Sequence, residues 1–362
     1  MIASFWDVYM QEAVPFCSIC IPQYNRTSFL ILALQALGQQ TFKNFEVCIS
    51  DDCSKDGRQA EVEQALRDFG LRHVYRRQPQ NGGYDGNLRA AISLANGSYC
   101  LLMGNDDCLA DANALERLHG LIAKQDNIGV VITNYLNQAN GVISRRVPST
   151  RIVGSGPSIA ASCFRNMSFV SGIILRRDRA LVHATSKWDG AEMYQMYLGS
   201  RIISEGYALM EVDDVVVLQG IQVPGQVVDS YAARPRLESC SIQERRIPLV
   251  QMGRLVVDAI EPYARDSVSA LSTSIFFQIM IFPYAFWILE YRRVQSWNYS
   301  LGICLGMRPR NLFGNIKLRS IHSLVLQVVY LMVTAAGLIT PVALFDLLRS
   351  DLYALAKSAF HD

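Results

Sequence analysis

Between residues 16 and 135, short unbroken apolar runs alternate with stretches whose apolar residues recur at helical spacing. Phe16-Cys17-Ser18-Ile19-Cys20-Ile21-Pro22 predicts a short buried strand halted by its proline, and Phe29 to Leu37 carries an unbroken helical pattern. Phe45 to Ser50 predicts a second strand. It runs into the polar turn Asp51-Asp52-Cys53-Ser54-Lys55-Asp56-Gly57, from which a helix over 58–69 starts with Ser54 or Asp56 as its cap. His73-Val74-Tyr75 predicts a third strand, Asn81-Gly82-Gly83 breaks the chain, and a helix follows over 85–96. Strand Tyr99 to Met103, helix 111–125 and strand Ile128 to Thr133 complete the series. Strands alternating with helices predict an α/β fold, a mostly parallel sheet with helices on both faces.

In such sheets, ligands bind beyond the carboxyl ends of the strands. Three polar clusters fall there: Pro22-Gln23-Tyr24-Asn25-Arg26, Asp51-Asp52 and Asn105-Asp106-Asp107. An Asp pair after a strand, taken alone, also reads as a solvated turn with a helix-capping Asp. Three clusters together point to nucleotide or sugar-nucleotide chemistry. One carboxylate can accept from the imide N–H of a uracil or an amino group of cytosine, another can meet a ribose hydroxyl, and a third can hold Mg²⁺ or Mn²⁺ with positions left open for phosphates.

The stretches Ser18 to Arg26, Gln40 to Val47 and Asp51 to Gly57 resemble, in order and spacing, the start of family 2 glycosyltransferases with the GT-A, Rossmann-like fold. Asn81-Gly82-Gly83 through Asn87, Ala95 to Tyr99 and Asn105-Asp106-Asp107 continue that pattern, so the resemblance covers about residues 16–135. Within the family the chain looks most like the abequosyltransferase-like, O-antigen and polysaccharide branch. The resemblance implies that Pro22, Tyr24 and Asp52 form the base pocket, that Asp106 approaches the ribose or phosphate, and that Asp107 coordinates Mn²⁺ or Mg²⁺. Tyr24 covering the sheet edge and Asp51 capping the next helix are the structural alternatives. Arg26 either caps the end of the first strand or meets a phosphate. Relatives often carry Arg immediately before the residue corresponding to Asn87; here that position is Gly86. Arg89, three residues on and so on the same helix flank, is either the substitute or a solvated side chain.

The acceptor side starts at about residue 136 with a basic loop holding Arg145, Arg146 and Arg151, followed by the strand-like Ser168 to Leu175. Lys187-Trp188-Asp189-Gly190-Ala191-Glu192 then leads into a helix ending near Gly206. Inverting members of the family place an acidic general base about here, usually in a Glu-Asp pair. This chain lacks that pair, which leaves Asp189 and Glu192 as the candidate bases. An acid at a helix start is also favourable simply through the helix dipole.

Composition changes the picture of the last third. Hydrophobic residues make up 50% of the 362, charged residues 18%, and mean hydropathy is +0.15, apolar for a soluble enzyme. Residues 271–289, interrupted by Pro283, and 323–345 are uncharged, and the second is long enough to cross a bilayer. The loop between them carries Arg292, Arg293, Arg308, Arg310, Lys317 and Arg319 and, after Glu290 at its start, no acid, which the positive-inside rule makes cytoplasmic. The expectation is therefore a protein on the cytoplasmic face of the inner membrane, peripheral or spanning once through 323–345, beside a lipid-linked glycan acceptor. Core helices or a homo-oligomer interface are the other uses of these stretches. A net charge of +2 gives no ground for a nucleic-acid partner. Nine scattered cysteines suit a reducing cytosol, Cys17 and Cys20 read as buried thiols, and residues 1–16 show no secretory signal.

The expected organisation is an extension over 1–15, a nucleotide-sugar half over 16–135, an acceptor half over 136–235 and a helical, membrane-associated region over 236–362. The expected activity is metal-dependent, inverting sugar transfer from a nucleotide-sugar donor. A sugar-phosphate nucleotidyltransferase, which would need a Gly-rich basic loop after the first strand, and a non-catalytic nucleotide-sugar-binding or membrane scaffold protein are the rivals.

Overall fold

The computed structural model describes residues 14–226, 248–294 and 297–358. Nearly all of the 1–15 extension and the expected boundary at 235/236 lie outside the described residues. In chain order the elements are β1 Cys17–Gln23, α1 Thr27–Gly38, β2 Phe45–Asp51, α2 Gln59–Asp68, β3 His73–Arg77, α3 Gly83–Ser93, β4 Tyr99–Leu102, β5 Cys108–Leu109, α4 Ala114–Ile122, β6 Ile128–Asn137, β7 Ile143–Ser144, β8 Arg151–Gly154, α5 Pro157–Cys163, β9 Ile173–Arg176, α6 Arg177–Val182, α7 Tyr194–Glu205 and β10 Ala208–Gln219. They continue with α8 Pro248–Ala264, α9 Val268–Ile279, α10 Ala285–Val294, α11 Trp297–Gly306, α12 Pro309–Phe313, α13 Ser320–Ile339 and α14 Val342–Ser358.

The chain divides into two compact units. One comprises Met1–Arg145, Val170–Ala184 and Asp214–Val228; the other comprises Arg146–Phe169, Thr185–Asp213 and Asp229–Asp362. The sheet of the first unit runs β3-β2-β1-β4-β9-β6-β10-β5, with β7 beside β6. β3, β2, β1 and β4 pair in parallel, whereas β9 lies antiparallel to both β4 and β6. Every residue of β1 and β2 is buried, as expected of central parallel strands covered on both sides. Cys17, Cys20 and Cys48 are among them as free thiols whose pKa burial pushes up, and Cys100 on β4 is a further buried free thiol.

Pro22 does not halt β1, which runs on to Gln23. The reason is the register. β4 leaves β1 after Cys20, whose carbonyl accepts the Met103 N–H, and Pro22, two residues on, faces that same unpaired edge. Its missing N–H therefore costs no ladder bond. The apolar run Ser168 to Leu175 is only half strand: Phe164–Met167 is a 3₁₀ turn, the Ile173 N–H closes onto the Val170 carbonyl, and β9 starts at Ile173.

At the edge of the sheet away from the polar clusters, Glu46 is buried and accepts from the Ser18 hydroxyl (2.6 Å) and the N–H groups of Asn96 (2.6 Å) and Gly97 (3.2 Å). Burial pushes its pKa up, but these bonds and Arg72 prevail and the net shift is downward. Gly97 passes so close to β1 that a Cβ there would lie 2.7 Å from the Cys17 carbonyl carbon.

In the second unit β8 pairs antiparallel with the first residues of β10, and helices α8 to α14 follow. The apolar stretch around Pro283 is α9, a π-helical turn Met280–Tyr284 and α10. Pro283 cannot donate to an α-helical bond, and the wider turn absorbs the loss. The uncharged stretch 323–345 is not one helix: α13 stops at Ile339, and α14 starts beyond Pro341.

Candidate active site

Parallel pairing brings the ends of β1, β2 and β4 to one edge of the sheet, and the loops leaving them are stitched together. The Asn25 N–H donates to the Ser54 hydroxyl (2.9 Å), the Lys55 N–H to Asn25 Oδ1 (2.6 Å), and the Thr27 hydroxyl to Asp56 (2.6 Å). Asn25 (φ 55°) and Cys53 (φ 61°) are left-handed at these turns, a conformation Asn tolerates better than most side chains. No side chain caps α2; Arg58 occupies the cap position and Ser54 and Asp56 serve the stitching instead. Asp51 is a fastener too, accepting from the Ser54 N–H (2.8 Å) and the Tyr75 hydroxyl (2.6 Å).

Asp52 is buried, and its two oxygens accept the N–H groups of Gly82 (2.7 Å) and Gly83 (3.0 Å). Burial raises its pKa, an effect these two bonds oppose. The Gln23 carbonyl accepts from the Asp52 N–H (2.9 Å) and from Asn87 Nδ2 (3.0 Å), while Gln23 Oε1 accepts from Asn105 Nδ2 (2.7 Å). One residue at the end of β1 thus joins all three clusters to α3. Asn87 Oδ1 is buried without a hydrogen bond. Pro22 is buried beside Ser50, and Tyr24 is 38% exposed above it in sequence.

Asp107 is as buried as Asp51 and Asp52. Its Oδ2 accepts from the Ser171 hydroxyl (2.5 Å) and its Oδ1 from the Gly220 N–H (2.8 Å), and Ser171 in turn accepts the Gly104 N–H (2.9 Å). Burial, followed by the charge of Asp106, raises its pKa from 3.8 to about 7. Gly104 makes room for the pair: a Cβ there would sit 3.1 Å from both Asp106 Oδ1 and Asp107 Oδ2. Asp106 pairs with the Arg26 guanidinium (Nη1–Oδ2 3.2 Å), which also lies 4.2 Å from the Phe29 ring centre. Arg89 is half-buried on α3.

Two adjacent carboxylates, one with a pKa lifted by burial, form a site where added positive charge would be favoured. No group of three or more His, Cys, Asp or Glu side chains able to hold a metal exists among the described residues. Asp106 and Asp107 offer one or two carboxylate ligands, the number by which Mg²⁺ is commonly held when phosphate and water fill its other positions.

Asp189 and Glu192 belong to the second unit, whereas the residues above all belong to the first. Asp189 is exposed and Glu192 half-buried in the turn before α7, with Glu192 left-handed at φ 60°. The turn is anchored: Lys187 Nζ and Trp188 Nε1 each donate to a different oxygen of Asp258 on α8 at 2.7 Å.

Sequence reasoning did not single out Ser171, Gly220, Gln23 or the amides of Gly82 and Gly83. A polar Ser inside the apolar run Val170 to Leu175 was the visible signal for Ser171. Gly220 follows a strand more than a hundred residues from Asp107 and carries no local signal.

Residues 18–183 match the glycosyl transferase family 2 model. Over 95 residues, 26% of this chain and 28% of the relative, the sequence is 41% identical to the abequosyltransferase RfbV of Salmonella typhimurium. Over 174 residues, 45% of this chain and 56% of the relative, it is 33% identical to the amylovoran biosynthesis glycosyltransferase AmsB of Erwinia amylovora. The chain thus spans less than two-thirds of either curated relative. The crystal structure of S. aureus TarS 1-349 in complex with UDP superposes with a TM-score of 0.59 at 16% identity, covering 88% of this chain and 90% of that one, a likeness of fold. Residues 18–183 are a glycosyl transferase family 2 domain, built on the GT-A-like α/β fold with its mostly parallel sheet.

Proposed function

We propose that the chain is a divalent-metal-dependent, inverting glycosyltransferase. In this reading it moves one sugar from a nucleotide-sugar donor to a glycan carried on a polyprenyl diphosphate lipid, at the cytoplasmic face of the inner membrane, in cell-surface polysaccharide synthesis. The observation that carries it is the convergence of Asp52, Asp106 and Asp107 at the carboxyl ends of β2 and β4, cross-linked through Gln23 at the end of β1. TarS has been crystallised with UDP and with UDP-GlcNAc, and RfbV and AmsB are named for sugar transfer, which supports the donor class and the polysaccharide setting.

In this account Pro22, Tyr24 and Asp52 hold the base, Asn87 and Arg89 line the same side, and Asp106 meets the ribose. Asp107, and Asp106 beside it, would hold Mn²⁺ or Mg²⁺; when bound, such a cation takes up charge developing on the leaving diphosphate. Arg26 exchanges its contact with Asp106 for the donor phosphates. Asp189 or Glu192 accepts the proton of the acceptor hydroxyl as that oxygen attacks the anomeric carbon from the face opposite the nucleotide. The test is titration of the purified chain with UDP-, GDP-, CDP- and dTDP-sugars, with and without Mn²⁺. At least one should bind, more tightly with Mn²⁺; failure of all four classes to bind would remove the enzyme reading.

A further inference from the structure

The outer face of α13 is an apolar stripe the length of the helix. Ile321, Leu324, Val328, Leu331 and Met332 recur at three- and four-residue spacing, Ile339 lies two turns further on, and all are exposed, Leu331 at 63% and Ile339 at 78%. Twenty residues at ~1.5 Å each make it about 30 Å long. Beyond Pro341, α14 carries exposed Leu344, Leu347 and Leu348 together with exposed Asp346 and Asp351. A continuous apolar strip of this length is more than the scattered exposed residues that any soluble surface carries.

The opposite flank of α13 is committed to the protein. Leu326 and Val329 are buried, and Gly337 packs so closely that a Cβ would lie 2.9 Å from Ile288 on α10. Thr334 and the Tyr284 hydroxyl lie 2.6 Å apart, and the Tyr330 hydroxyl donates to the Cys304 carbonyl at 2.8 Å. Arg292 on α10 closes the far end, donating to the carbonyls of Gly337 and Thr340 at 2.7 Å with its guanidinium 4.5 Å from the ring of exposed Trp297. Spanning a bilayer would require peeling α13 from all of these contacts or carrying the parts of α10 and α11 packed on it into the hydrocarbon as well.

Charge identifies what the stripe meets. No Asp or Glu occurs from residue 291 to residue 345, while Arg292, Arg293, Arg308, Arg310, Lys317 and Arg319 do. Lys317 and Arg319 precede one end of α13 and Arg292 closes the other. A parallel two-fold pairing of α13 with a second copy would set Lys317 and Arg319 against their own copies, whereas at the other end Glu290 and Asp346 pair with Arg293. An anionic bilayer complements the Lys317 and Arg319 end, and Trp297 at the other end is suited to the headgroup level.

We infer that the outer face of α13 beds into the surface of an anionic membrane with the helix lying in the plane of the interface rather than across the bilayer. This sharpens the membrane placement proposed above, yet its readout needs no glycosyl transfer, so it stands or falls separately from the enzymatic reading. The experiment is co-sedimentation of the full chain with phosphatidylcholine vesicles with and without phosphatidylglycerol. The expected result is binding that requires phosphatidylglycerol and weakens with salt. Leu324→Glu with Leu331→Glu, both on solvent-exposed positions, should weaken it at least about tenfold at unchanged circular dichroism. Lys317→Gln with Arg319→Gln should reduce the preference for phosphatidylglycerol without touching the apolar face. Alkaline carbonate should release the bound protein. Resistance to carbonate with the 342–358 segment protease-protected inside the vesicle would overturn the in-plane arrangement. Undiminished vesicle binding by the double Glu variant, with loss of a dimer in its place, would overturn the membrane as the occupant.

Discussion

Replacing Asp107 with Asn isolates the electrostatic cost on which the candidate site rests. An unperturbed aspartate titrates near 3.8, and the folded one near 7. Between those values the native chain holds a proton that the unfolded chain has lost. The sign follows: without metal, stability falls as pH rises through this window, and the full cost is present above about pH 7. A shift of about three units sets a ceiling of about 4 kcal/mol. Asn removes the titration and still fits, because its Oδ1 can accept the Gly220 N–H while its amide donates to Ser171, whose hydroxyl then turns. In EDTA, wild-type Tm should fall by several degrees more than that of Asp107→Asn between about pH 5 and about pH 8, and the variant should be the more stable at the upper end. Mn²⁺ should restore the wild type and leave the variant unmoved. Scanning fluorimetry over a pH series reads both. Parallel pH curves for the two proteins would refute the burial argument.

Three further outcomes follow from the same geometry. Gly97→Ala forces a Cβ to within 2.7 Å of the backbone of Cys17 and should cost about 1–3 kcal/mol in chemical denaturation, since backbone rather than a flexible side chain must yield. Arg26→Gln removes the cation paired with Asp106, so calorimetry should show Mn²⁺ binding severalfold more tightly in the absence of nucleotide and the donor binding more weakly. Of Asp189→Asn and Glu192→Gln, one should lower kcat by ~10²–10⁴ with donor affinity unchanged, and loss in neither would place the base elsewhere.

Much of the first unit was legible because its signals are local. Short apolar runs ending in polar turns located β1, β2 and β4, and parallel pairing then had to bring Gln23, Asp52 and Asp107 to one edge. What escaped was long-range or depended on register. Pro22 inside β1 is tolerated only because β4 leaves that edge after Cys20, a fact of pairing rather than of composition. Ser171 and Gly220 reach Asp107 from distant stretches, and the truncation of β9 that frees Ser171 comes from a turn at Val170 that an apolar run conceals. Asp51 and Asp52 look equivalent in sequence, yet Tyr75 and Ser54 occupy the first while Gly82 and Gly83 cradle the second. Length and hydropathy left 323–345 either crossing once or lying at the surface; Pro341 ends its first helix at Ile339, which is still long and apolar enough to cross a membrane, and its packing on Ile288 through Gly337 is not visible in composition.

The central claim is transfer of a sugar from a nucleotide to a lipid-linked glycan. It is tested most directly by incubating the chain with the nucleotide sugar that binds, labelled in the sugar, and a lipid extract of bacterial membranes, then partitioning the products into butanol. The expected result is EDTA-sensitive label in the lipid fraction, absent with Asp107→Asn, with the transferred sugar carrying the anomeric configuration opposite to that of the donor. Label recovered only as free sugar or intact donor would contradict the claim.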